Sequence, residues 1–542
     1  GNEGVMKFTA KYLLIGVVLV ATLVVVLLLL PRKKDDSGHL SLIPENTVAL
    51  AALDLERIFA KAGEDQLSAL NNLFTESAAG DPVLVALARN LITASSGSGL
   101  NPQEKGIVFL GIVGQHSYLG VVLALKNDKS IRTQLMKAAT GSGTLEKVEG
   151  YRIFIRHGVL VAWKKTALII LNGNENLSAP DLRKEFLRLA ALSPDQQFFS
   201  VHQHASELVS KESDLLCWAD VKTSASSVPV LKSWKWPGNI PESVSDILLD
   251  VNFHNGKVTL DAELFAEERS EVVNIHGRAA QVERLLQYHQ PENLLLALSL
   301  AKNDESPFPG QGDFPGMSAG HLYKLIEKNI PVRGIEELSS AIRERVMLSV
   351  THPPSNIGKM LDDVFSNRAE EDNPFAKLNP DVRMTMIIDP VVFDSLLPGM
   401  IRNKMFAKEG DMYRFMPGRT RVPFISSSAT VFYAKAIDDI LLIGNRKEFV
   451  ANSGPVSGDA VSEFTEVQKR EYANHNLTMH LNVDQLYEIF GSMAPQGGPA
   501  ALLGQTELVN LRIDPSRVRM VVDFSDNNRN SLNLLLSELF SK

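Results

Sequence analysis

The residue pattern closest to an enzyme motif is Gly316-Met317-Ser318-Ala319-Gly320. Serine hydrolases use the spacing G-x-S-x-G to place a nucleophilic serine on a tight turn between a buried strand and a helix. Residues 306–315, which come before the motif, contain three prolines and therefore predict a loop instead of the required strand. We interpret the motif as a loop that ends in a serine or glycine helix cap. A hydrolase that uses Ser318 remains the alternative.

Two histidines and a glutamate form the pattern closest to a metal site. His204 and Glu207 would share a face of a helix because they are three residues apart, whereas His202 would lie on a different face. The sequence contains no His-Glu-x-x-His motif and no second cluster at a suitable spacing. We therefore predict no metal site and interpret the histidines as surface residues of an amphipathic helix.

The remaining acidic and aromatic groups also have simpler interpretations than a binding site. Residues 370–372 and the pair Asp438-Asp439 are interpreted as solvated charges, in a loop and in a hairpin turn. Trp234 and Trp236 have the chemistry to stack on a sugar or a peptide, but burial is the favoured interpretation. No phosphate-binding loop, dinucleotide fingerprint or calcium loop is present. The sequence predicts no catalytic, cofactor-binding or metal-binding residue.

The composition is that of a globular protein with an acidic balance. The chain has 542 residues, of which 44% are hydrophobic and 22% charged, and its formal net charge is −8. This length predicts two or more domains, and the charge argues against a nucleic-acid partner. The single cysteine, Cys217, excludes an internal disulfide and a cysteine-based metal site. It lies in a strand-like apolar run and is predicted to be a small buried side chain.

A membrane span is predicted at residues 12–30. This segment has no charged residue, and as a helix it would extend about 28 Å, close to the hydrocarbon thickness of a bilayer. No cleavage site follows it, so we predict an uncleaved signal anchor between a short tail, residues 1–11, and a polar linker, residues 31–42.

The orientation of the span follows from two opposing signals. Lys7 and Lys11 precede the span and three basic residues, 32–34, follow it, which slightly favours a cytoplasmic body. Long C-terminal domains, however, are translocated largely regardless of local charge. We therefore predict a cytoplasmic tail and an extracytoplasmic body.

The body is predicted to mix strands and helices. Continuous apolarity at residues 48–53 predicts a strand buried on both faces, and the helix after it is predicted to end at Gly63. The pair Asn255-Gly256 between two strand-like runs predicts a hairpin with a type I′ turn. Further helices are predicted at residues 65–77, 81–93, 130–139, 179–192, 198–210 and 279–288, and strands at 106–113, 118–125, 151–156, 159–164, 167–171, 215–221, 246–253 and 258–265.

The second half of the chain repeats features of the first half in the same order. Pro44-Glu45-Asn46 returns 247 residues later, and the strand that begins at Cys217 returns 262 residues later. The Gly173-Asn174 step returns after 271 residues, and the hairpin turn at 254–257 returns after 260 residues. The shared order predicts a tandem duplication. The predicted fold class is α+β, with two related units at residues 43–288 and 289–542 whose sheets are antiparallel or mixed.

Residues 43–63 resemble the opening of an uncharacterised family of bacterial cell-envelope proteins. The resemblance rests on Ile43-Pro44-Glu45, the Asp54-Leu55 step after the strand, and Lys61-Ala62-Gly63 at the end of the helix. Members of that family begin with a lipoprotein signal or a membrane anchor, whereas this chain has an apolar span in place of a lipidated cysteine. The resemblance implies an envelope location in a Gram-negative bacterium and brings no catalytic residues with it.

These observations predict a non-enzymatic, single-pass protein of the bacterial inner membrane. Its body is expected in the periplasm, where it would bind or scaffold a protein partner as part of a membrane-associated assembly, without a cofactor. The bilayer itself is the second expected partner, through residues 12–30. Two alternatives stay open: a membrane-tethered hydrolase that uses Ser318, and a binder of lipid, peptide or glycan in a cleft between the two units.

Overall fold

The structure is a computed structural model. It describes residues 37–68, 99–114, 116–139, 145–156, 158–173, 177–202, 205–220, 244–266, 279–301, 340–351, 380–402, 406–415, 431–452, 464–490, 499–514 and 516–540. Within these ranges no helix has the length and apolarity that crossing a membrane requires. The predicted span at 12–30 lies outside the described residues, as do the helix predicted at 81–93 and most of the helix predicted at 65–77.

The described strands form one sheet of twenty strands. They are β1 (Ala49–Leu53), β2 (Gly106–Val113), β3 (His116–Ala124), β4 (Leu145–Val148), β5 (Tyr151–Arg156), β6 (Val159–Trp163), β7 (Ala167–Asn172), β8 (Leu215–Asp220), β9 (Val244–His254), β10 (Lys257–Ala266), β11 (Leu294–Ala301), β12 (Ile342–Thr351), β13 (Asp381–Ile388), β14 (Ala407–Glu409), β15 (Met412–Phe415), β16 (Phe432–Ile437), β17 (Ile440–Gly444), β18 (Leu477–Asn482), β19 (Thr506–Asp514) and β20 (Arg517–Phe524).

Helices connect and cover these strands. They are two 3₁₀ helices, η1 (Ser37–Leu42) and η2 (Pro194–Gln196), and the α-helices α1 (Leu55–Ala62), α2 (Lys129–Ala139), α3 (Ala179–Ala190), α4 (Phe198–Val201), α5 (Ala205–Ser210), α6 (Ala279–Leu286), α7 (Pro390–Arg402), α8 (Lys447–Asn452), α9 (Glu466–Asn474), α10 (Val483–Phe490), α11 (Pro499–Gln505) and α12 (Ser531–Phe540). The predicted α+β class is confirmed.

Hydrogen-bonded pairing gives the spatial order of the strands. The order is β4-β5-β6-β7-β3-β2-β1-β8-β9-β10-β20-β19-β18-β11-β12-β13-β17-β16-β15-β14, and every pairing between the named strands is antiparallel. Of the two arrangements that the sequence predicts, antiparallel or mixed, the described strands adopt the antiparallel one.

The strands β11–β20 pair in the same order as β1–β10. Ala51 of β1 pairs with Cys217 of β8, and Leu298 of β11 pairs with Met479 of β18. Leu298 follows Ala51 by 247 residues and Met479 follows Cys217 by 262 residues, which are two of the offsets found in the sequence. The two sets of ten strands meet where β10 pairs with β20.

Helices cover both faces of the first ten strands. Each can pack on the sheet because its apolar residues repeat at helical spacing and form one apolar side. Leu182, Phe186 and Leu189 form one buried stripe of α3, which begins with a capping box at Ser178. This stripe belongs to an apolar cluster that also contains Leu42 at the end of η1. The helices α1, α2 and α12 contribute to the cluster on the other face.

Two helices pack away from the half to which their position in the chain assigns them. Leu532 and Leu535 of α12 lie in the cluster of the first half, and Asn533 of this helix donates a hydrogen bond to the carbonyl of Ala62. Val282 and Leu285 of α6 lie in a cluster of the second half. The helix that the sequence places at the end of the first unit therefore packs with the strands that follow it.

The hairpin between β9 and β10 forms as predicted, but its turn is different. Gly256 has a φ of +66°, whereas Asn255 is not left-handed, so the predicted type I′ turn is wrong. Tertiary contacts shape the turn instead. The Gly256 N–H donates to the carbonyl of Arg529 at 2.9 Å, and the Phe524 N–H donates to the carbonyl of Gly256 at 2.7 Å. The sequence does not predict the tight turn between β4 and β5, in which Glu149 has a φ of +49° and Gly150 a φ of +82°.

A glycine in the middle of β3 makes room for an aromatic ring. Gly120 pairs with Phe109 of β2, and a Cβ atom added to Gly120 would lie 2.2 Å from a ring carbon of Phe109. We expect Gly120→Ala to lower the free energy of unfolding by about 1–3 kcal/mol because the overpacked ring has to move. Urea unfolding measures the change.

Gly399 in α7 is the matched control for this substitution. A Cβ atom added there would meet no atom within 4 Å. Gly399→Ala should therefore be neutral or stabilising by up to about 1 kcal/mol. Equal effects at the two positions would contradict the proposed contact between Phe109 and Gly120.

Candidate functional site

A buried carboxylate, Asp214, joins three elements of the first half. Its side chain accepts hydrogen bonds from Arg57 Nε at 3.0 Å and from Lys61 Nζ at 2.5 Å. It also accepts from the backbone N–H of Phe253 at 2.7 Å. Arg57 and Lys61 lie on one face of α1 because they are four residues apart. Asp54 starts that helix by accepting a hydrogen bond from Arg57 N–H. We refer to Asp214, Arg57 and Lys61 as the Asp214 clamp.

A lysine with a lowered pKa lies close to the Asp214 clamp. Lys105 Nζ donates hydrogen bonds to the carbonyls of Leu208, at 3.1 Å, and Lys211. Burial lowers the pKa of Lys105 to about 8, and the charges of Asp54 and Asp250 oppose this shift. A lysine that titrates near neutral pH is a candidate nucleophile or general base. Here, however, its ammonium group caps the C-terminal end of α5, which is a structural role.

A carboxylate, a histidine and a hydroxyl form a second polar network in the other half. His480 Nε2 lies 3.0 Å from Glu471 Oε2, and His480 Nδ1 lies 2.9 Å from the Tyr472 hydroxyl. This order of groups resembles a catalytic triad. The Tyr472 side chain is fully buried, and burial raises its pKa well above the ordinary value. A hydroxyl that is closed to solvent and hard to ionise does not act as a nucleophile, so the network is structural.

An arginine beneath this network holds the C-terminal end of α9. Arg345 is fully buried, and its Nη1 donates to Ser299 Oγ at 2.7 Å. Its Nη2 donates to the carbonyls of Ala473, at 3.2 Å, and His475, at 3.4 Å. The last carbonyls of a helix lack partners within the helix, so the guanidinium supplies the donors that they need.

A third network places a neutral histidine inside the second half. His289 Nδ1 lies 2.6 Å from Ser349 Oγ, and His289 Nε2 lies 2.8 Å from Thr385 Oγ1. Burial, together with the nearby charge of Arg383, lowers the pKa of His289 to about 3. Both side chains that contact the imidazole nitrogens, those of Ser349 and Thr385, are buried. The pair of serine and histidine therefore has the partners of a hydrolase site without access for a substrate.

The structure corrects the interpretation of His202. The helix predicted at 198–210 is not continuous, because α4 ends at Val201 and α5 begins at Ala205. His202 follows α4 and is not a free surface residue. The His202 ring stacks on Phe198, with ring centroids 4.4 Å apart, and its centroid lies 4.8 Å from that of Trp218. Its Nε2 lies 3.0 Å from the carbonyl oxygen of Glu45. The imidazole is thus part of the packing at the start of the first half.

The other residues that the sequence singled out have separate positions. Cys217 packs against the apolar cluster, and burial raises the pKa of its thiol to about 12. Asp439 forms an ion pair with Arg284 of α6 from the turn between β16 and β17. The residues that lie outside the described ranges are His204, Trp234, Trp236, Ser318 and residues 370–372. Among the described residues, no three His, Cys, Asp or Glu side chains gather as metal ligands would.

The sequence predicts only the basic residues of the Asp214 clamp. The spacing of Arg57 and Lys61 after a strand predicts a basic face on α1, but nothing local identifies Asp214 as its partner. His289 similarly contacts Ser349 and Thr385, which lie 60 and 96 residues away in the chain, so this network becomes recognisable only when the order of the strands is known. Glu471, Tyr472 and His480, in contrast, lie within ten residues of one another.

We expect Asp214→Asn to destabilise the protein by about 3 kcal/mol, because it leaves two cationic side chains of α1 without their buried counter-charge. Urea unfolding measures this loss. Glu212→Gln is the matched control, since Glu212 also faces Arg57, at 3.7 Å, but its side chain is 92% exposed. The control should change the free energy of unfolding by less than about 0.5 kcal/mol. A clamp variant as stable as the control would contradict the assignment.

We expect acid to destabilise the protein through its buried neutral histidines. The pKa of His289 is about 3 in the folded chain, against an ordinary value of 6.5, and burial likewise lowers the pKa of His39 to about 4. The unfolded chain therefore binds these protons first. The stability that each neutral ring contributes is fully present above pH 6.5 and falls by about 1.4 kcal/mol per pH unit as the pH drops from 6.5 toward the folded pKa.

Urea unfolding of His289→Gln at several pH values between 7 and 4 tests this expectation. Below pH 6.5, the free energy of unfolding should fall less steeply with decreasing pH in the variant than in the wild-type chain. The difference in slope should be about 1.4 kcal/mol per pH unit, which corresponds to one proton. The same substitution at His116, whose side chain is exposed, controls for the removal of a histidine. An unchanged slope in His289→Gln would contradict the expectation.

Comparison with solved structures finds low similarity. Crystal form III of TP0453 is 10% identical and matches 47% of this chain and 90% of that chain, with a TM-score of 0.28. Crystal form IV matches 41% of this chain and 79% of that chain at 10% identity, with a TM-score of 0.27. No curated protein matches the chain.

Comparison with family models gives a match to the first half of the chain. The matched residues include β1–β10 and end just before α6. Residues 40–278 match the family described as a domain of unknown function (DUF4836).

Proposed function

We propose that this protein is a membrane-anchored, extracytoplasmic binding or scaffold protein of the bacterial envelope, and that it works without enzymatic activity in a membrane-associated assembly. The observation that carries the proposal is the uncharged apolar segment at residues 12–30, followed after a short polar linker by a large folded body. A single span of this kind holds such a body at the surface of a membrane. The expected place is the periplasmic side of the inner membrane.

We also propose that the body arose by tandem duplication. Two observations support this. The two sets of ten strands pair in the same order, and the residues paired between β1 and β8 are separated from those paired between β11 and β18 by the sequence offsets of 247 and 262. The register of β10 and β20 adds support. Leu260 pairs with Met520, which follows it by 260 residues, the offset of the two hairpin turns. Two copies of one unit would thus meet around a pseudo-two-fold axis at this pair.

The chemistry of the polar networks supports a non-enzymatic function. The hydroxyls next to histidines, those of Tyr472, Ser349 and Thr385, are buried. The basic side chains of the Asp214 clamp and of Arg345 are engaged in holding helices in place. A binding cleft between the two copies has less support than a binding surface, because β10 and β20 pair along residues 257–263 and close the sheet at the junction.

The anchor is tested with the full chain in a Gram-negative host. We expect the protein to stay in the membrane fraction after alkaline carbonate extraction, and an alkaline phosphatase domain fused after Lys542 to be active, as it is only outside the cytoplasm. Deletion of residues 12–30 is the control and should release the protein from the membrane. Full release of the intact chain by carbonate would overturn the proposed anchoring, and an inactive fusion would overturn the proposed orientation.

The scaffold function is tested by cross-linking in cells, followed by solubilisation in detergent and mass spectrometry of the purified full chain. We expect a reproducible partner that is missing when the residues 12–30 are replaced by an unrelated cleavable signal peptide. A chain that runs alone in every cross-linked sample would contradict a scaffold function while leaving the anchor intact.

A further inference from the structure

We propose that one particular face of the body lies against the bilayer, and we call it the η1 face. It is the side of the first ten strands that is covered by η1, α3 and α4. The opposite side, covered by α1, α2 and α12, would then face the aqueous compartment and be open to partners. This inference rests on the membrane anchor proposed above and adds the orientation of the body to it.

The short tether limits which face can reach the bilayer. The predicted span ends at Leu30 and η1 begins at Ser37. The seven Cα–Cα steps between them extend about 25 Å at most, at roughly 3.5 Å for each step. The first residue of η1 would therefore lie within about 25 Å of the end of the span.

The attachment point is fixed to the body and cannot swing around it. His39 Nε2 lies 3.1 Å from the carbonyl oxygen of Lys105. Phe198 N–H donates to the carbonyl of Ile43 at 2.9 Å, and Glu45 N–H donates to that of Gln196 at 2.9 Å. These bonds join η1 and the residues after it to the residue before β2, to α4 and to the 3₁₀ helix at Pro194–Gln196.

The helices on the η1 face form one layer. Leu42 of η1, Phe186 of α3 and Phe198 of α4 are buried in a single apolar cluster on that side of the sheet. Ile58 of α1 and Ile131 of α2 are buried in the cluster on the other side. Because a helix is about 10 Å thick and packs about 10 Å from a sheet, the outer surfaces of the two layers are about 30 Å apart. A tether of about 25 Å from η1 does not reach around that thickness.

The charges of the η1 face do not favour a membrane by themselves. Arg183, Lys184 and Arg188 are at least partly exposed on α3, and exposed carboxylates lie nearby on the same layer. These are Glu45, Asp181 and Asp195. The balanced charge means that the tether, and not attraction to anionic lipid, sets the orientation. The contact should therefore be insensitive to salt, which screens charge interactions.

Two exposed apolar side chains on opposite faces provide the matched test. Val201, at the end of α4, is 50% exposed, and Met136, on α2, is 45% exposed. The full chains with Val201→Cys and with Met136→Cys are labelled with a fluorophore and reconstituted into vesicles of phosphatidylcholine and phosphatidylglycerol that carry a quencher on the headgroups. Cys217 stays in place because it is half-buried and burial raises the pKa of its thiol to about 12, and the wild-type chain gives the background.

We expect the label at Val201 to lose most of its fluorescence and the label at Met136 to keep most of it, at low and at high salt. A second pair, Lys184→Cys on α3 and Arg132→Cys on α2, repeats the comparison if a first variant does not fold. Equal quenching of the two faces, or stronger quenching at Met136, would overturn the inference while leaving the anchor intact. If neither chain floats with the vesicles, the proposed anchor itself fails, and the inference fails with it.

Discussion

The pairing of β10 with β20 is the constraint on which the rest of the molecule depends. It is the link that makes two sets of ten strands into one sheet, and it brings residues 260 positions apart in the chain into register, with Leu260 opposite Met520. Arg517 forms an ion pair with Asp261 across this junction. The loop after β20 accepts a hydrogen bond from the Gly256 N–H at the β9–β10 turn. The next helix, α12, packs against the core of the first half. The core of the first ten strands is therefore incomplete without α12.

The two halves share their backbone pairing but fill their cores with different chemistry. In the first half, Phe109 and Trp218 lie on either side of Leu50 in neighbouring strands. In the equivalent places of the second half, Ser349 and His480 lie on either side of Ala297. Apolar packing at these positions tolerates many sequences, whereas each buried hydroxyl or imidazole needs a partner at a fixed place.

Local patterns in the sequence were enough to identify most of the described elements of the first half. The apolar runs of β1, β2 and β7 depend on neighbouring residues alone, so the strands predicted there are confirmed. The turn at Gly256 was not, because a loop from the end of the chain shapes it. Asp214 could not be identified either, since its partners Arg57 and Lys61 lie more than 150 residues away. What the sequence did not reveal is therefore what depends on the order of the strands.

The order of the strands also explains how the second set of ten strands protects the first. An isolated set of ten strands would end at β10, a strand of ten residues with a long row of unpaired backbone groups, which invites aggregation. The second set covers this edge with β20. Among the described strands, the sheet then ends at β4 and β14, which have four and three residues. Both carry a lysine and a glutamate, the charged side chains that discourage further pairing. Pairing β10 with β20 thus leaves short, charged strands at both ends of the described sheet.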